Sequence, residues 1–166
     1  GKLSLSGKTG VYVSDSMTTS ANNKPLVINA DSDSTGTSGT LTVATGKTLK
    51  SNKSDMTITA WDVDLAGTAA LTAGTKTLSI HAAEAAQTIS FGGSSNNGNM
   101  HIDASELQRM TATDGFQLGS TLAGTISVYA ITQANSATVI PIVTLVAGRA
   151  DAQVLFSSAA TTFHSL

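Results

Sequence analysis

The 166-residue chain lacks cysteine and contains little proline, aromatic residue or charge. The absence of cysteine excludes a disulfide framework and thiolate metal sites. Charged residues make up 12 % of the chain, aromatic residues 4 %, and there are two prolines. Disordered chains usually combine high charge with low hydrophobicity, but 40 % of these residues are hydrophobic. The composition therefore favours a folded chain.

Neither a basic run nor a long apolar segment is present. The net charge is −2, so no nucleic acid or anionic membrane surface is expected as a partner. The longest largely apolar stretch, residues 139–147, is far too short to span a bilayer, and no membrane insertion is expected. The first residues do not read as a secretion signal.

Threonine and serine are abundant, with 46 residues in total. They alternate with apolar residues in short runs, for example at residues 41–43, 56–60 and 78–80. An alternation with period two predicts strands that bury one face. Clusters of Gly, Asn, Asp and Ser between the runs predict turns. The predicted fold class is all-β.

The sequence also repeats itself. Residues 10–29 and 87–103 each contain an apolar alternation, a Ser/Asn loop with paired asparagines (Asn96 and Asn97 in the second copy) and another alternation. Single matches at comparable offsets include Leu3 with Leu78, Thr57 with Thr125 and Gln87 with Gln153. Such repeats predict an array of similar units.

The repeat divides the chain into modules. Residues 1–25 are interpreted as the end of a preceding module, 26–99 as a complete module and 100–166 as a second, nearly complete one. Because the sequence opens and closes inside a module, we expect it to continue a longer array. All three segments are predicted to form one continuous solenoid.

The spacing of the apolar alternations favours parallel strands. They begin at Leu26, Leu41, Met56, Leu78 and Met100. Antiparallel sandwiches tend towards a strand about every 8–12 residues, and the stride of this chain is longer. Together with the long-range repeat, it predicts a parallel β-helix, a solenoid of stacked coils with internal repeats of about 63–75 residues. An end coil without a neighbour would expose a bare sheet edge.

Helix signals are scarce. Residues 82–87 have helix propensity but are few. Residues 104–110 are the better candidate, because Ser105 could cap a helix on which Leu107 and Met110 share a face. At most one helical turn is predicted there.

Two parts of the sequence resemble a known family. Residues 57–67 read TITAWDVDLAG, followed by LTAGTKTLSI at 71–80; residues 102–112 read IDASELQRMTA, followed by FQLGSTLAGTISV at 116–128. These are similar to the β-helical repeat regions of giant secreted proteins of the filamentous-haemagglutinin and autotransporter-adhesin kind, which also occur in large microalgal surface proteins. The resemblance implies a right-handed β-helix, export, and a role as a stalk, fibre or adhesive shaft. It brings no catalytic motif.

The three histidines are His81, His101 and His164. His101 and His164 occupy equivalent repeat positions, but a zinc site would need a third ligand beside them. One histidine in each module is more typical of a surface or packing residue. No metal and no cofactor is expected.

Two acidic pairs, Asp31/Asp33 and Asp62/Asp64, have the residue type used by polysaccharide lyases and hydrolases. Asp62 and Asp64 alternate with apolar residues, so both are predicted on an outward, solvated strand face. A weakly bound Ca²⁺ is the alternative. The repeat equivalents are not acidic, and no catalytic residue is predicted.

Three Thr-x-Thr pairs form a candidate threonine ladder. Its members are Thr40, Thr42, Thr57, Thr59, Thr75 and Thr77. Flat rows of threonine can order water and bind ice, although exposed threonine also reflects ordinary strand propensity. Trp61 and Tyr129, at equivalent positions, could stack on sugars if exposed, but packing is the preferred interpretation.

Asn52 begins the sequence Asn-Lys-Ser, a candidate glycosylation site in a eukaryotic secretory route. The function predicted overall is a structural section of an extracellular or cell-surface fibre, filament or stalk. It would self-associate, or continue the same array, end to end, with glycans as further candidate partners, and would not be an enzyme. The alternative is a surface adhesin or an ice- or glycan-binding module, and the third choice is a polysaccharide lyase or hydrolase.

Overall fold

The computed structural model describes residues 1–93 and 98–164. These described residues are 46 % strand and 3 % helical, which confirms the all-β class. The strands are β1 (Leu3–Ser6), β2 (Gly10–Val13), β3 (Met17–Thr18), β4 (Leu26–Asn29), β5 (Thr40–Val43), β6 (Thr48–Lys50), β7 (Met56–Ala60), β8 (Asp62–Leu65), β9 (Ala70–Gly74), β10 (Leu78–Ala82), β11 (Gln87–Gly92), β12 (Met100–Ile102), β13 (Met110–Ala112), β14 (Phe116–Ser120), β15 (Ala123–Tyr129), β16 (Val143–Ala147) and β17 (Val154–Ser157). The repeated asparagines Asn96 and Asn97 lie outside the described residues.

The strands form four sheets, and every pairing between described strands is parallel. In hydrogen-bonded order, sheet I is β1-β4-β7-β10-β14-β16, sheet II is β2-β5-β8, sheet III is β3-β6-β9-β13 and sheet IV is β12-β11-β15-β17. The first nine strands thus enter sheets I, II and III in rotation. Met56 pairs with Leu78 and Leu71 pairs with Met110, so the length of chain between paired strands is not constant.

The register of sheet I aligns apolar side chains into two buried rows. One row is Leu26, Met56, Leu78 and Phe116, and the other is Ile28, Ile58, Ile80 and Leu118. The alternation predicts this arrangement, because successive side chains of a strand point to opposite faces. Burying each of these side chains fully contributes about 1.5–3 kcal/mol of transfer free energy. The core is therefore a set of apolar rows that cross the strands.

The sequence repeat is only partly reflected in the pairing. Leu3 and Leu78 lie in the same row of sheet I, three strands apart. Thr57 and Thr125 lie in different sheets, on β7 and β15. The module boundaries at residues 25 and 99 stay a prediction.

The helix α1 (Ala104–Gln108) lies within the predicted segment, but Ser105 is not its cap. Asp103 is the N-cap: its Oδ1 accepts from the N–H groups of Ser105 and Glu106, each at 2.7 Å. The Glu106 carboxylate accepts from the Asp103 N–H at 3.0 Å and completes a capping box. The Ser105 hydroxyl instead donates to Asp103. Met110 belongs to β13, and residues 83–86 form a turn rather than a helix.

Candidate functional site at the open sheet edges

Four of the outermost strands form open sheet edges. Sheet I ends in β1 on one side and β16 on the other, and β2 and β17 are outermost strands of sheets II and IV. Within residues 1–93 and 98–164, no strand pairs with the outer side of any of the four. Each therefore presents unpaired backbone N–H and C=O groups, which can template pairing with another strand.

Three exposed apolar residues at these edges occupy core rows. Phe156 is 62 % exposed, yet its register partner Val128 is buried. Val154, 37 % exposed, pairs with the buried Ile126. Leu3, 38 % exposed, likewise continues the row of sheet I that is otherwise buried. These side chains contact solvent because the sheet stops, not because they point outward.

The edge of β8, by contrast, is closed by side chains. Asp62 Oδ1 accepts from the His101 N–H at 2.9 Å, where β12 lies alongside β8. Glu106 Oε1 accepts from the Leu65 N–H at 2.9 Å, and Arg109 Nη2 donates to the Leu65 carbonyl at 2.7 Å. The Glu106 carboxylate and the Arg109 guanidinium thus bond backbone groups of β8 that a further strand would otherwise pair with, and the Asp62 carboxylate bonds a backbone N–H of β12. β12 of sheet IV consequently lies beside β8 of sheet II.

The carboxyl groups at this closed edge have perturbed pKa values. Burial raises the pKa of Glu106 to about 7, and the nearby carboxyl groups of Asp103 and Asp62 add to the rise, while hydrogen bonds from the Leu65 and Asp103 N–H groups oppose it. Burial also raises the pKa of Asp62, and the hydrogen bond from the His101 N–H opposes this rise. The prediction of a solvated face is correct for the exposed Asp64 and wrong for Asp62, because that carboxylate binds a neighbouring backbone group.

The other acidic pair is divided between the interior and the surface. Asp31 is fully buried, whereas Asp33 is exposed. Burial raises the pKa of Asp31, as do the carboxyl groups of Asp33 and Glu84, and the Thr35 backbone lowers it. Gly39 packs so closely that a Cβ there would overlap the Asp31 side chain. This pair is therefore not a solvent-facing pair of carboxylates.

The six ladder threonines do not form one row. Thr40 and Thr42 lie on β5 of sheet II, Thr57 and Thr59 lie on β7 of sheet I, and Thr75 and Thr77 lie outside the strands. Their register neighbours are not threonines: Thr57 lies between Val27 and Ser79. The flat row that an ice-binding surface needs is thus absent at these positions. The nearly regular sequence spacing of the three pairs does not predict a row, because the chain passes between sheets at unequal intervals.

The three histidines have separate surroundings. His81 lies half-buried on β10, where its Nε2 is 3.3 Å from Gln117 Nε2, and burial lowers its pKa. His101 donates its backbone N–H to Asp62, and the His164 N–H donates to Ser136 Oγ at 2.8 Å. In the described part of the chain, no group of three or more His, Asp or Glu side chains could hold a metal ion.

The candidate glycosylation residue lies in a tight turn. Asn52 and Lys53 have φ angles of 51° and 58°. The Asn52 amide nitrogen, which would carry a glycan, donates to the Ser20 carbonyl at 3.0 Å. Ser54 is buried, and its Oγ accepts from the Lys24 N–H at 2.9 Å. Glycosylation at Asn52 stays a prediction, and it would require this turn to open.

Sequence reasoning missed the role of Gln87, which is 2 % exposed. Its Oε1 accepts from the Ala83 and Glu84 N–H groups at 2.8 and 3.1 Å. Its Nε2 donates to the Ala60 and Trp61 carbonyls at 3.1 and 2.8 Å. The signal was present in the alternation, because a residue two positions before the inward-facing Ile89 also faces inward.

The aromatic residues differ in how far they are exposed. Trp61 and Tyr129 are half-buried, as packing residues would be, while Tyr12 on β2 is 68 % exposed. Phe91 stacks on Phe116 and Phe163, with ring centroids 5.9 and 6.4 Å apart. The depression beside Tyr12 is open and about 300 Å³ in volume.

None of the described helices is long and apolar enough to cross a membrane.

Comparison with known proteins gives no relative. No family model, curated protein or solved structure matches the chain, so the resemblance to β-helical adhesins stays a prediction.

Proposed function

We propose that the four sheets are the faces of a right-handed parallel β-helix. The rotation of the first nine strands through sheets I, II and III supports this, since each circuit of three strands would form one coil. The uniformly parallel register supports it as well, because coils must stack in the same direction. The right hand follows from the strong preference of parallel crossovers for that hand.

The function that we propose for this β-helix is a structural section of a fibre, filament or stalk, joined end to end with further copies or with the same array. One observation carries the proposal: the apolar rows of the core run to both ends and are uncovered there, at Leu3 on one side and at Val154 and Phe156 on the other. A continuous ladder of backbone hydrogen bonds along the long axis would make the shaft stiff. Contacts between unlike ends generate an open filament when the rotation between successive copies does not close a ring.

Placement outside the cell or on its surface belongs to the same proposal. It rests on the similarity of residues 57–80 and 102–128 to exported β-helical proteins. Hydrogen bonding of Asp62 and Glu106 to backbone groups is consistent with a structural rather than a catalytic use of these carboxylates. The proposed molecule needs no cofactor.

The experiment that tests the proposal is assembly of the purified chain, followed by sedimentation velocity and negative-stain electron microscopy. Sheet I has six strands and sheets II and IV together have seven, so each copy should add about 29–34 Å to a filament at roughly 4.8 Å per strand. A concentration-dependent filament with that axial repeat is the expected result. A species that stays monomeric up to millimolar concentration would contradict the proposal.

A matched pair of variants separates end contacts from general hydrophobic association. Phe156→Asp puts a charge on an open edge and should abolish filaments. Leu122→Asp removes an apolar residue that is also exposed (41 %) but lies in the turn between β14 and β15, one strand inside the open edges, and should leave assembly unchanged. Equal effects of the two changes would contradict assembly through the ends.

A further inference from the structure

We propose that the two ends dock in one specific register: β16 of one copy pairs with β1 of a second copy, and β17 pairs with β2. This inference rests on the proposed end-to-end assembly and names the partner as another copy of this chain. It follows from the direction of the free backbone groups and from the positions of the apolar rows at the two ends.

The free backbone groups of β1 belong to its serines. The Leu3 N–H donates to the Pro25 carbonyl at 3.2 Å, and the Gly7 N–H donates to the Asn29 carbonyl at 2.8 Å. Residues of a parallel strand alternate in the side to which their N–H and C=O groups point. The corresponding groups of Ser4 and Ser6 therefore point to the open side.

The free groups of β16 belong to its apolar residues. The Phe116 N–H donates to the Ile142 carbonyl at 2.8 Å. By the same alternation, the backbone N–H and C=O groups of Thr144 point to β14. Those of Val143 and Leu145 point to the open side. In a register with Val143 opposite Leu3 of the second copy, the N–H and C=O groups of Ser4 meet those of Leu145 and Val143.

The side chains favour the same register. Val143 opposite Leu3 and Leu145 opposite Leu5 extend the two apolar rows of sheet I without a gap. A slip of one residue would exchange the inward and outward faces and place Thr144 in the core.

The backbone groups of β17 and β2 support the second pairing independently. The Ile126 N–H donates to the Gln153 carbonyl at 2.9 Å, so Val154 and Phe156 direct their backbone groups to the open side of β17. The Ala44 N–H donates to the Val13 carbonyl at 3.0 Å, which leaves the backbone groups of Tyr12 free on β2. Both edges thus offer complementary groups at alternate residues.

The register of this second pair places Val154 opposite Val11 and Phe156 opposite Val13. Leu155 and Tyr12, which are 40 % and 68 % exposed, would then meet on the outer face. This contact explains two outward-facing apolar residues that nothing within one copy covers. A slip of two residues would instead place Phe156 opposite Asp15, an exposed charged residue beyond the end of β2.

Cysteine cross-linking tests the register, because the chain has no cysteine of its own. Ser4→Cys and Thr144→Cys put thiols on exposed, outward-facing positions that are opposite one another in the proposed joint. Neighbouring strands bring such Cα atoms to roughly 5 Å, within disulfide range, whereas a diagonal pair lies at roughly 8 Å, outside it. The matched control is Ser6→Cys with Thr144→Cys.

The two variants of a pair are mixed under assembly conditions, oxidised and separated without reductant, with a urea-unfolded mixture as the background. We expect Ser4→Cys with Thr144→Cys, and separately Tyr12→Cys with Leu155→Cys, to give at least ten times more linked dimer than the control pair. Filaments that link preferentially through Ser6→Cys would overturn the register and leave the proposed function standing. Absence of both filaments and linked dimers would overturn both.

Discussion

Replacement of Gln87 by glutamate tests how the corner between β10 and β11 is held. The Gln87 amide accepts from two N–H groups, of Ala83 and Glu84, and donates to two carbonyls, of Ala60 and Trp61. It therefore joins the turn after β10 to the end of the adjacent strand β7. Glutamate has the same shape and keeps both acceptor contacts, so the change isolates the two donated hydrogen bonds.

The expected loss of stability is large at neutral pH. Each buried carbonyl that loses its donor costs about 1–3 kcal/mol, and the introduced carboxylate lies against both. We expect Gln87→Glu to lower the free energy of unfolding by about 3 kcal/mol or more at pH 8. That is a considerable part of the roughly 5–15 kcal/mol that holds a typical domain folded.

The loss should depend on pH with a definite sign. Burial and two facing carbonyl oxygens disfavour the ionised form, so the introduced carboxyl group has a higher pKa in the folded chain than in the unfolded chain. A raised folded pKa of an acid means that stability is lost as the pH rises through that value. The variant should therefore recover part of its deficit relative to the native chain between pH 8 and pH 5, where the protonated group can again donate.

The assay is urea unfolding at both pH values, followed by far-UV circular dichroism and by the fluorescence of Trp61, the single tryptophan. The control is Gln153→Glu: Gln153 matches Gln87 in the sequence repeat but is exposed, and the change should cost no more than about 0.5 kcal/mol. Equal losses in the two variants would refute the assigned role of Gln87. So would a Gln87→Glu deficit that does not change with pH.

Two further predictions concern buried polar and glycine positions. Glu106→Gln should flatten the dependence of the free energy of unfolding on pH. The native Glu106 carboxyl group has a pKa of about 7 against an ordinary 4.5, so the native chain should lose up to about 3 kcal/mol of stability from pH 4.5 to pH 8.5 relative to the variant. Parallel pH profiles of the two chains in urea unfolding would contradict this. Gly119→Ala should cost about 2 kcal/mol more than Gly36→Ala in thermal or urea unfolding, the typical size of an overpacking penalty. Both glycines have positive φ angles, but a Cβ at Gly119 would overlap the Val146 carbonyl oxygen, whereas one at Gly36 meets nothing within 4 Å. Similar losses in the two alanine variants would show that backbone strain, rather than the clash, sets the cost.

The strands could be predicted because their signal is local. Met56, Ile58 and Ala60 alternate with threonines, and burial follows the same alternation. Period two is a direct consequence of strand geometry and needs no knowledge of the partner strand. The location of the short helix could be predicted for the same reason, from a few adjacent residues.

Features that depend on distant partners could not be predicted. The half-burial of Asp62 depends on His101, 39 positions away, and the burial of Glu106 depends on β8. Ser105 looked like a helix cap because Ser and Asp cap equally well; which of them does so depends on the path of the preceding strand β12. The threonine ladder failed because row membership depends on the sheet assignment, which sequence spacing does not determine.

The register of the parallel strands has a consequence for the order of folding during synthesis. Met56 on β7 pairs with Leu26 on β4, which precedes it in the chain, and Leu78 on β10 then pairs with Met56. Each of these strands is thus made after the strand on which it docks. A chain that emerges from its N-terminus can add strands one at a time to a growing edge, without waiting for residues not yet made. Such vectorial folding would keep the length of exposed edge constant while sheet I grows.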